Sequence, residues 1–589
     1  MNNSNVVKIS SVKKITLEIL PILVLFFASI IILNPFLFNP IKLPIDTYYH
    51  LSRIHNLSGG LFQFLYPQNF SSLGQIGIAS NVFYPAIGMQ FIVDLIPKSL
   101  GSLVTYKLFI LLLCLISALV AYLLIRFKYS KNKALSVGLA LLWTFLIYPS
   151  SSLGEAVAKI GFPLLCYGLL NFQKNGAYKY IAAGLIISSL SHLLTTVFLI
   201  FFVFFYYLIL LFLNRTKENF IFSTINMLKT GIYSFLGTLC VSIPLIYTTI
   251  NNQVKTPNIF YFQFQTWMVN INTFSDDFRI YVFIMMLVFS LSVILLMKKV
   301  SLAQVLSLVF AVFGTSAIVW EPFVRTTVLS NIQIPSRIFY YAISLCFCFS
   351  ILLLAERGTS KNGKNVLLTF IFVATAIIGT VVYKDSYPSI DSNSGNYIVT
   401  SPKQLKTYVS QGNDGYSIAG LGAFDGYTMN QNIMWSIMNY SDYVPQDSIS
   451  NQTSSFLRQD DKGKNLVNHE LSISNGQNIK TSNYIAKSKS VSFQATKNIT
   501  NQEISLPIVG YNKLNTSVYI DNQKVDSYIK NGRITIYSSL NANQKVTVRQ
   551  TLVWWEVIPF IISIVSWLMM VILPIVINKN KHQGVLKNG

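Results

Sequence analysis

Charge is scarce in this chain. Only 11% of its 589 residues are Asp, Glu, Lys or Arg, whereas soluble domains carry roughly 25%. Mean hydropathy is +0.49 and apolar side chains make up 52%, which excludes an ordinary soluble enzyme. Acid is scarcer than base, 22 against 45, leaving a net charge of +23. That excess does not mark a nucleic-acid binder. The Lys and Arg of the membrane part fall in short loops between apolar runs, whereas nucleic-acid proteins gather them on one soluble face. Cysteine is limited to Cys114, Cys166, Cys240, Cys346 and Cys348, all within apolar runs. The polar region 384–552 has none, which excludes a disulfide scaffold there. Walker loops, dinucleotide fingerprints, zinc-type Cys/His spacings and nucleophile elbows are also missing. ATP- or NAD-driven chemistry is thereby disfavoured, and any group transfer needs a donor that arrives already activated.

What is abundant is the apolar run of about twenty residues, the length that crosses hydrocarbon as a helix. Spans are expected at 15–38, 103–126, 134–150, 156–171, 178–192, 194–213, 229–249, 279–298, 301–320, 336–355, 366–383 and 553–577. The first lacks an A-x-A-like site and reads as an uncleaved span. Residues 178–213 are too long for one span, and "SSLSHLLTT" at their middle reads as a turn at His192. With the N-terminus in the cytoplasm, this two-helix reading makes every inner segment basic, from "KISSVKK" to the tail 578–589, as membrane orientation requires.

The chain thus reads as a polytopic α-helical membrane protein of about twelve spans in the bacterial plasma membrane. Residues 1–383 form the membrane domain, with a large first outer loop at 39–102. Residues 384–552 form an extracytoplasmic β-rich domain. Its second half, with "SVSFQATK", "EISLPIVGY", "TSVYIDNQ", "RITIYSS" and "KVTVRQTLVW", reads as a small antiparallel β-sandwich. Span 553–577 returns the chain to the cytoplasm.

The ionisable residues of the membrane domain map mostly to the outer side. In "LPIDTYYHLSRI", Asp46 and His50 are four apart and share a helix face, with Arg53 a turn further. An acid beside a histidine is a general base or a metal holder, and an arginine clamps phosphate. The plain alternative is a solvated loop with Asp46 as a helix N-cap. Glu155 and Lys159 are again four apart, either a helix-end ion pair or a second acid facing the cavity of Asp46. His192 reads as a polar turn or a ligand contact. Glu321, Arg325, Gln333 and Arg337 cluster in "EPFVRTTVLSNIQIPSRIF", where an arginine snorkels or binds a carrier phosphate. Few charges fall mid-span, which disfavours an ion-coupled transporter.

The stretches "DTYYHLSRI", "GEAVAKIGFP", "SHLLTT", "IQIPSR" and "SDYVP" resemble a bacterial membrane family labelled 6-pyruvoyl-tetrahydropterin synthase-related. The chain is also similar to membrane proteins that add sugars to lipoteichoic acid, and to the GT-C class of glycosyltransferases. The pterin activity does not transfer, because the zinc-binding histidines it needs are missing. The resemblance implies Asp46, His50 and Glu155 as catalytic residues, with Asp46 as base or as the carboxylate of a divalent metal (Mg or Mn). It implies Arg53, Gln333 and Arg337 as substrate contacts, Arg337 on the carrier phosphate; Lys159, His192, Glu321 and Arg325 are further candidates for substrate binding from their outer-side placement. A polyprenyl-phosphate sugar would be the donor, and a cell-envelope glycan or lipid the acceptor. Two departures stand out. Ser336 lies where the late motif commonly has an aromatic, and no second acid adjoins Asp46. An exporter of lipid-linked glycan and a non-catalytic glycan-binding protein share the same architecture and remain alternatives.

Overall fold

The computed structural model describes residues 3–38, 41–43, 45–130, 132–144, 153–213, 216–255, 279–297, 300–315, 336–357, 418–421, 442–450, 457 and 460–587. The helices are α1 (Asn3–Phe38), α2 (Ile45–Leu57), α3 (Ser80–Phe83), α4 (Ile87–Val93), α5 (Ser102–Lys128), α6 (Lys133–Thr144), α7 (Leu153–Lys159) and α8 (Phe162–Leu170). They continue with α9 (Ala177–Ser189), α10 (Leu193–Leu213), α11 (Lys217–Asn251), α12 (Arg279–Met297), α13 (Leu302–Thr315), α14 (Ser336–Arg357), α15 (Asp461–Val467) and α16 (Trp554–Lys587). Among the described residues, five stretches are long and apolar enough to cross a membrane: Val104–Lys128, Leu153–Leu170, Leu193–Leu213, Lys217–Asn251 and Arg337–Glu356. Shorter apolar helices accompany them, so the molecule is mostly helical with a membrane-like character. The span expected at 366–383 lies outside the described residues.

The long run 178–213 is two helices, with a turn at residues 190–192 between α9 and α10. The run 156–171 is itself broken into α7 and α8, because Pro163 at the start of α8 has no N–H for the carbonyl four residues back. α8 packs on α9, α11 on α16 and α13 on α14. The first of these contacts is backbone against backbone. A Cβ added to Gly184 would come within 2.8 Å of the Gly161 carbonyl and 2.6 Å of Leu165 Cβ. Small residues at helix crossings permit such approach. Gly184→Ala is expected to destabilise the chain by about 1–3 kcal/mol, read as a lower Tm in detergent. An unchanged Tm would mean the crossing has slack.

The C-terminal part is β-rich. Strands β3 (Glu470–Ile473), β4 (Asn478–Lys487), β5 (Ser490–Ala495), β6 (Ile499–Val509), β7 (Thr516–Ile520), β8 (Gln523–Val525), β9 (Ser527–Lys530), β10 (Arg533–Leu540) and β11 (Lys545–Gln550) form one antiparallel sheet. Its order is β8-β7-β11-β5-β4-β3-β6-β10-β9. β4 belongs to both halves, with an irregularity between Ser482 and Ile485 where the pairing shifts. The two halves share one apolar core, with Val491, Phe493 and Val548 from one and Ile504, Leu506 and Ile536 from the other. A tenth contribution comes from far upstream: Phe70, fully buried, is part of this core. Its loop closes through an Asn69–Ile78 bridge and turns at Gly77, whose φ of +81° and 2.6 Å approach to the Phe70 ring leave no room for a Cβ. Gln68 Nε2 donates to the Val509 carbonyl and Tyr484 donates to the Gln75 carbonyl. A separate two-stranded pairing joins β1 (Ile41–Leu43) to β2 (Ile418–Leu421).

Candidate functional site

Of the ionisable residues singled out from sequence, His50, Arg53, Glu155, Lys159, His192 and Arg337 lie near one another. α2 supplies His50 and Arg53, three apart and therefore on one face. Both are buried. The Arg53 guanidinium donates through Nη2 to the carbonyls of Tyr84 (2.6 Å) and Pro85 (3.2 Å). It also sits 4.4 Å from the Tyr84 ring centroid, a cation–π contact. Tyr84 is the hub. Its ring lies 5.8 Å from that of His50, 5.9 Å from Tyr49 and 5.7 Å from His192.

α7 begins against His50, where the Leu153 N–H donates to Nε2 at 3.3 Å. It carries Glu155 and Lys159, paired at 2.8 Å with side chains 3% and 0% exposed. The pair is therefore not the solvated helix-end pair that its spacing also allowed. The turn at 190–192 is held by the Gly88 N–H on the Leu190 carbonyl (2.9 Å) and by Ser188 Oγ on the Ala158 carbonyl (3.0 Å). Gly154 lets it close: a Cβ there would stand 2.5 Å from the Ser191 carbonyl. His192 then caps α10, with Nδ1 accepting from the Thr195 N–H at 3.3 Å and contacting Thr195 Oγ1 at 2.7 Å. Arg337, at the start of α14, acts on His192 electrostatically, as do Glu155, Lys159 and Arg53.

Both histidines are held neutral. Burial pushes His50 well below the ordinary imidazole value, and Arg53 and then His192 add to the effect. Burial likewise takes His192 down to about 4, against a smaller upward pull from Glu155. A neutral imidazole has one N–H and one acceptor nitrogen. In His50 the acceptor is Nε2, engaged by Leu153, so the proton sits on Nδ1, which has no hydrogen-bond partner among the described residues. Arg53 Nε is a second buried donor without one. In His192 the acceptor is Nδ1, and Nε2 carries the proton. Buried donors left unsatisfied cost free energy. Two on one face of α2 beside a cationic cluster suit an anionic or acceptor-rich ligand.

The depressed histidines make stability pH-dependent. The unfolded chain binds a proton at His192 near pH 6.5, the folded chain only near pH 4. Their contribution is intact above pH 6.5 and is lost as pH falls between the two values. At pH 5 the loss from His192 alone is about 2 kcal/mol. Tm in detergent should fall from pH 7 to pH 5, and His192→Asn should flatten that slope. Equal slopes in both proteins would refute the burial.

Asp46 lies in the first turn of α2, one turn before His50, since that helix starts at Ile45. Glu321, Arg325 and Gln333 lie outside the described residues. Among the described residues no group of three or more His, Cys, Asp or Glu could hold a metal ion, and Glu155 is engaged by Lys159. The side chain of Asp46, the carboxylate expected to hold a divalent metal, lies outside the described residues. Tyr84 was missed from sequence. Its only signal was an aromatic before proline in the first loop, and its importance comes from contacts with two distant segments, α2 and the turn at His192. No family model matches the chain, and no curated protein matches it.

Proposed function

We propose that the chain is a membrane glycosyltransferase, moving a sugar from a polyprenyl-phosphate donor to an extracytoplasmic cell-envelope acceptor. The observation that carries this reading is the cluster in which Arg53, Lys159 and Arg337, together with the acid Glu155, act on His192. A cation excess at one end of an apolar bundle suits a phosphate whose lipid tail stays between helices. The sugar–phosphate bond is already activated, which answers the lack of any nucleotide motif. Charge develops on the departing phosphate as that bond breaks, and preorganised donors there favour the transition state. The His50 Nδ1–H and the Arg53 Nε–H are such donors. With His50 a donor, proton acceptance from the incoming hydroxyl falls to Asp46. The β-rich part would meet the acceptor glycan. The resemblance to GT-C enzymes and to the 6-pyruvoyl-tetrahydropterin synthase-related family supports the same reading.

On this reading both termini lie in the cytoplasm and the β-rich part lies outside. The test is the full chain in vesicles with a labelled polyprenyl-phosphate sugar and an envelope acceptor. Label in a new glycosidic bond supports transfer. Label moved across the bilayer without bond formation supports an exporter and overturns the enzyme, and acceptor binding without either supports a non-catalytic role.

A further inference from the structure

A second polar feature lies away from that cluster. Glu556, in the first turn of α16, is 3% exposed and its Oε2 has no hydrogen-bond partner among the described residues. It lines a cleft with Phe64, Asn81, Pro85, Cys240 and Pro244, and the cleft has room for a water-sized body. None of the lining residues is cationic. A buried carboxylate facing apolar walls is costly, and it takes up either a proton or a counter-ion.

Two other residues of the cleft, Asn81 and Cys240, carry oxygens with electron pairs to give. Asn81 spends both amide hydrogens, one on Asn56 Oδ1 (3.3 Å) and one on the Tyr66 carbonyl (3.0 Å). That fixes the amide so that Oδ1, itself without a partner, is the free end. On α11, Pro244 has no N–H to return to the Cys240 carbonyl four residues back. The same stretch of α11 is opened further by α16. Ser563 Oγ stands between the Cys240 N–H (3.0 Å) and the Leu236 carbonyl (3.1 Å), and Trp567 Nε1 takes the Gly237 carbonyl at 2.9 Å. Insertion of a side chain into a helix ladder, together with proline, is how helices part locally.

We propose that this cleft binds one sodium ion through the Glu556 carboxylate, Asn81 Oδ1 and the Cys240 carbonyl. Hard cations take oxygen ligands of this kind. One carboxylate among neutral oxygens balances a single positive charge, and the space suits a bare ion rather than an organic ammonium. The ion would tie α11 and α16 to the first outer loop, so its binding stabilises the folded chain by mass action.

The experiment is a melting titration of the full chain in detergent, with sodium replacing choline at constant ionic strength. Between about 1 and about 100 mM sodium the Tm should rise by ~2 °C or more. Glu556→Gln should lose that rise. Pro244→Ala, which returns the missing N–H to Cys240, should fold and require several-fold more sodium for half of the shift. A wild-type Tm indifferent to sodium would overturn the site, as would a full response in either variant. If Glu556→Gln does not fold, the wild-type and Pro244→Ala titrations decide. No sugar donor enters the assay, so the result stands apart from the transfer reading.

Discussion

Asp46→Asn should reduce sugar transfer by about 10²–10⁴-fold, the range that a positioned proton acceptor supplies. The substitution keeps the shape of the side chain and removes its basicity. Asp46 is the residue to choose because the structure leaves His50 without a free acceptor nitrogen: Nε2 is occupied by the Leu153 N–H. The measurement is the initial rate in vesicles, at equal protein and saturating donor, with envelope sugar content of the corresponding strain as a second readout. A variant as fast as the wild type would remove Asp46 from the chemistry and with it the proposed mechanism.

Lys159→Met is the change expected to hurt folding most. Breaking a buried ion pair from one side costs about 3–5 kcal/mol, because the remaining charge is stranded. The group left behind is Glu155, only 3% exposed and held at 2.8 Å by the ammonium, so the loss read is what remains after its other contacts have compensated. Removing both charges, in Lys159→Met with Glu155→Gln, should restore most of the loss, since buried pairs are often replaceable by neutral groups. Equilibrium unfolding in detergent reads both. An exposed pair at this spacing would change stability by only a few tenths of a kcal/mol, so a small loss in the single variant would contradict the burial.

Local rules made much of the fold legible. Basic loops and a Ser-His turn divided 178–213 correctly into α9 and α10. Alternation located β5, β6, β7, β10 and β11. It failed at β4, where "NIKTSNYIAK" alternates poorly because the strand shifts its pairing midway and Asn483 takes a positive φ. α11 begins at Lys217, earlier than its apolar run suggested, because Thr216 caps it through the Asn219 N–H. At the site, spacing alone put His50 with Arg53 and Glu155 with Lys159. What joins those pairs is the Tyr84 ring and the clamped turn at 190–192, and neither leaves a periodic trace. Phe70 is the extreme case. Nothing in its surroundings along the chain marks it as part of a sheet made more than three hundred residues later.

That ring has a practical meaning for anyone wishing to prepare the strand-rich portion as a soluble reagent. Cut out by itself, it would be like a vessel without its stopper: a greasy hole would face water where Phe70 now sits, and the Val509 and Gln550 hydrogen bonds to Gln68 would be left open. A usable fragment would have to carry residues 62–85 along, spliced on as a tether.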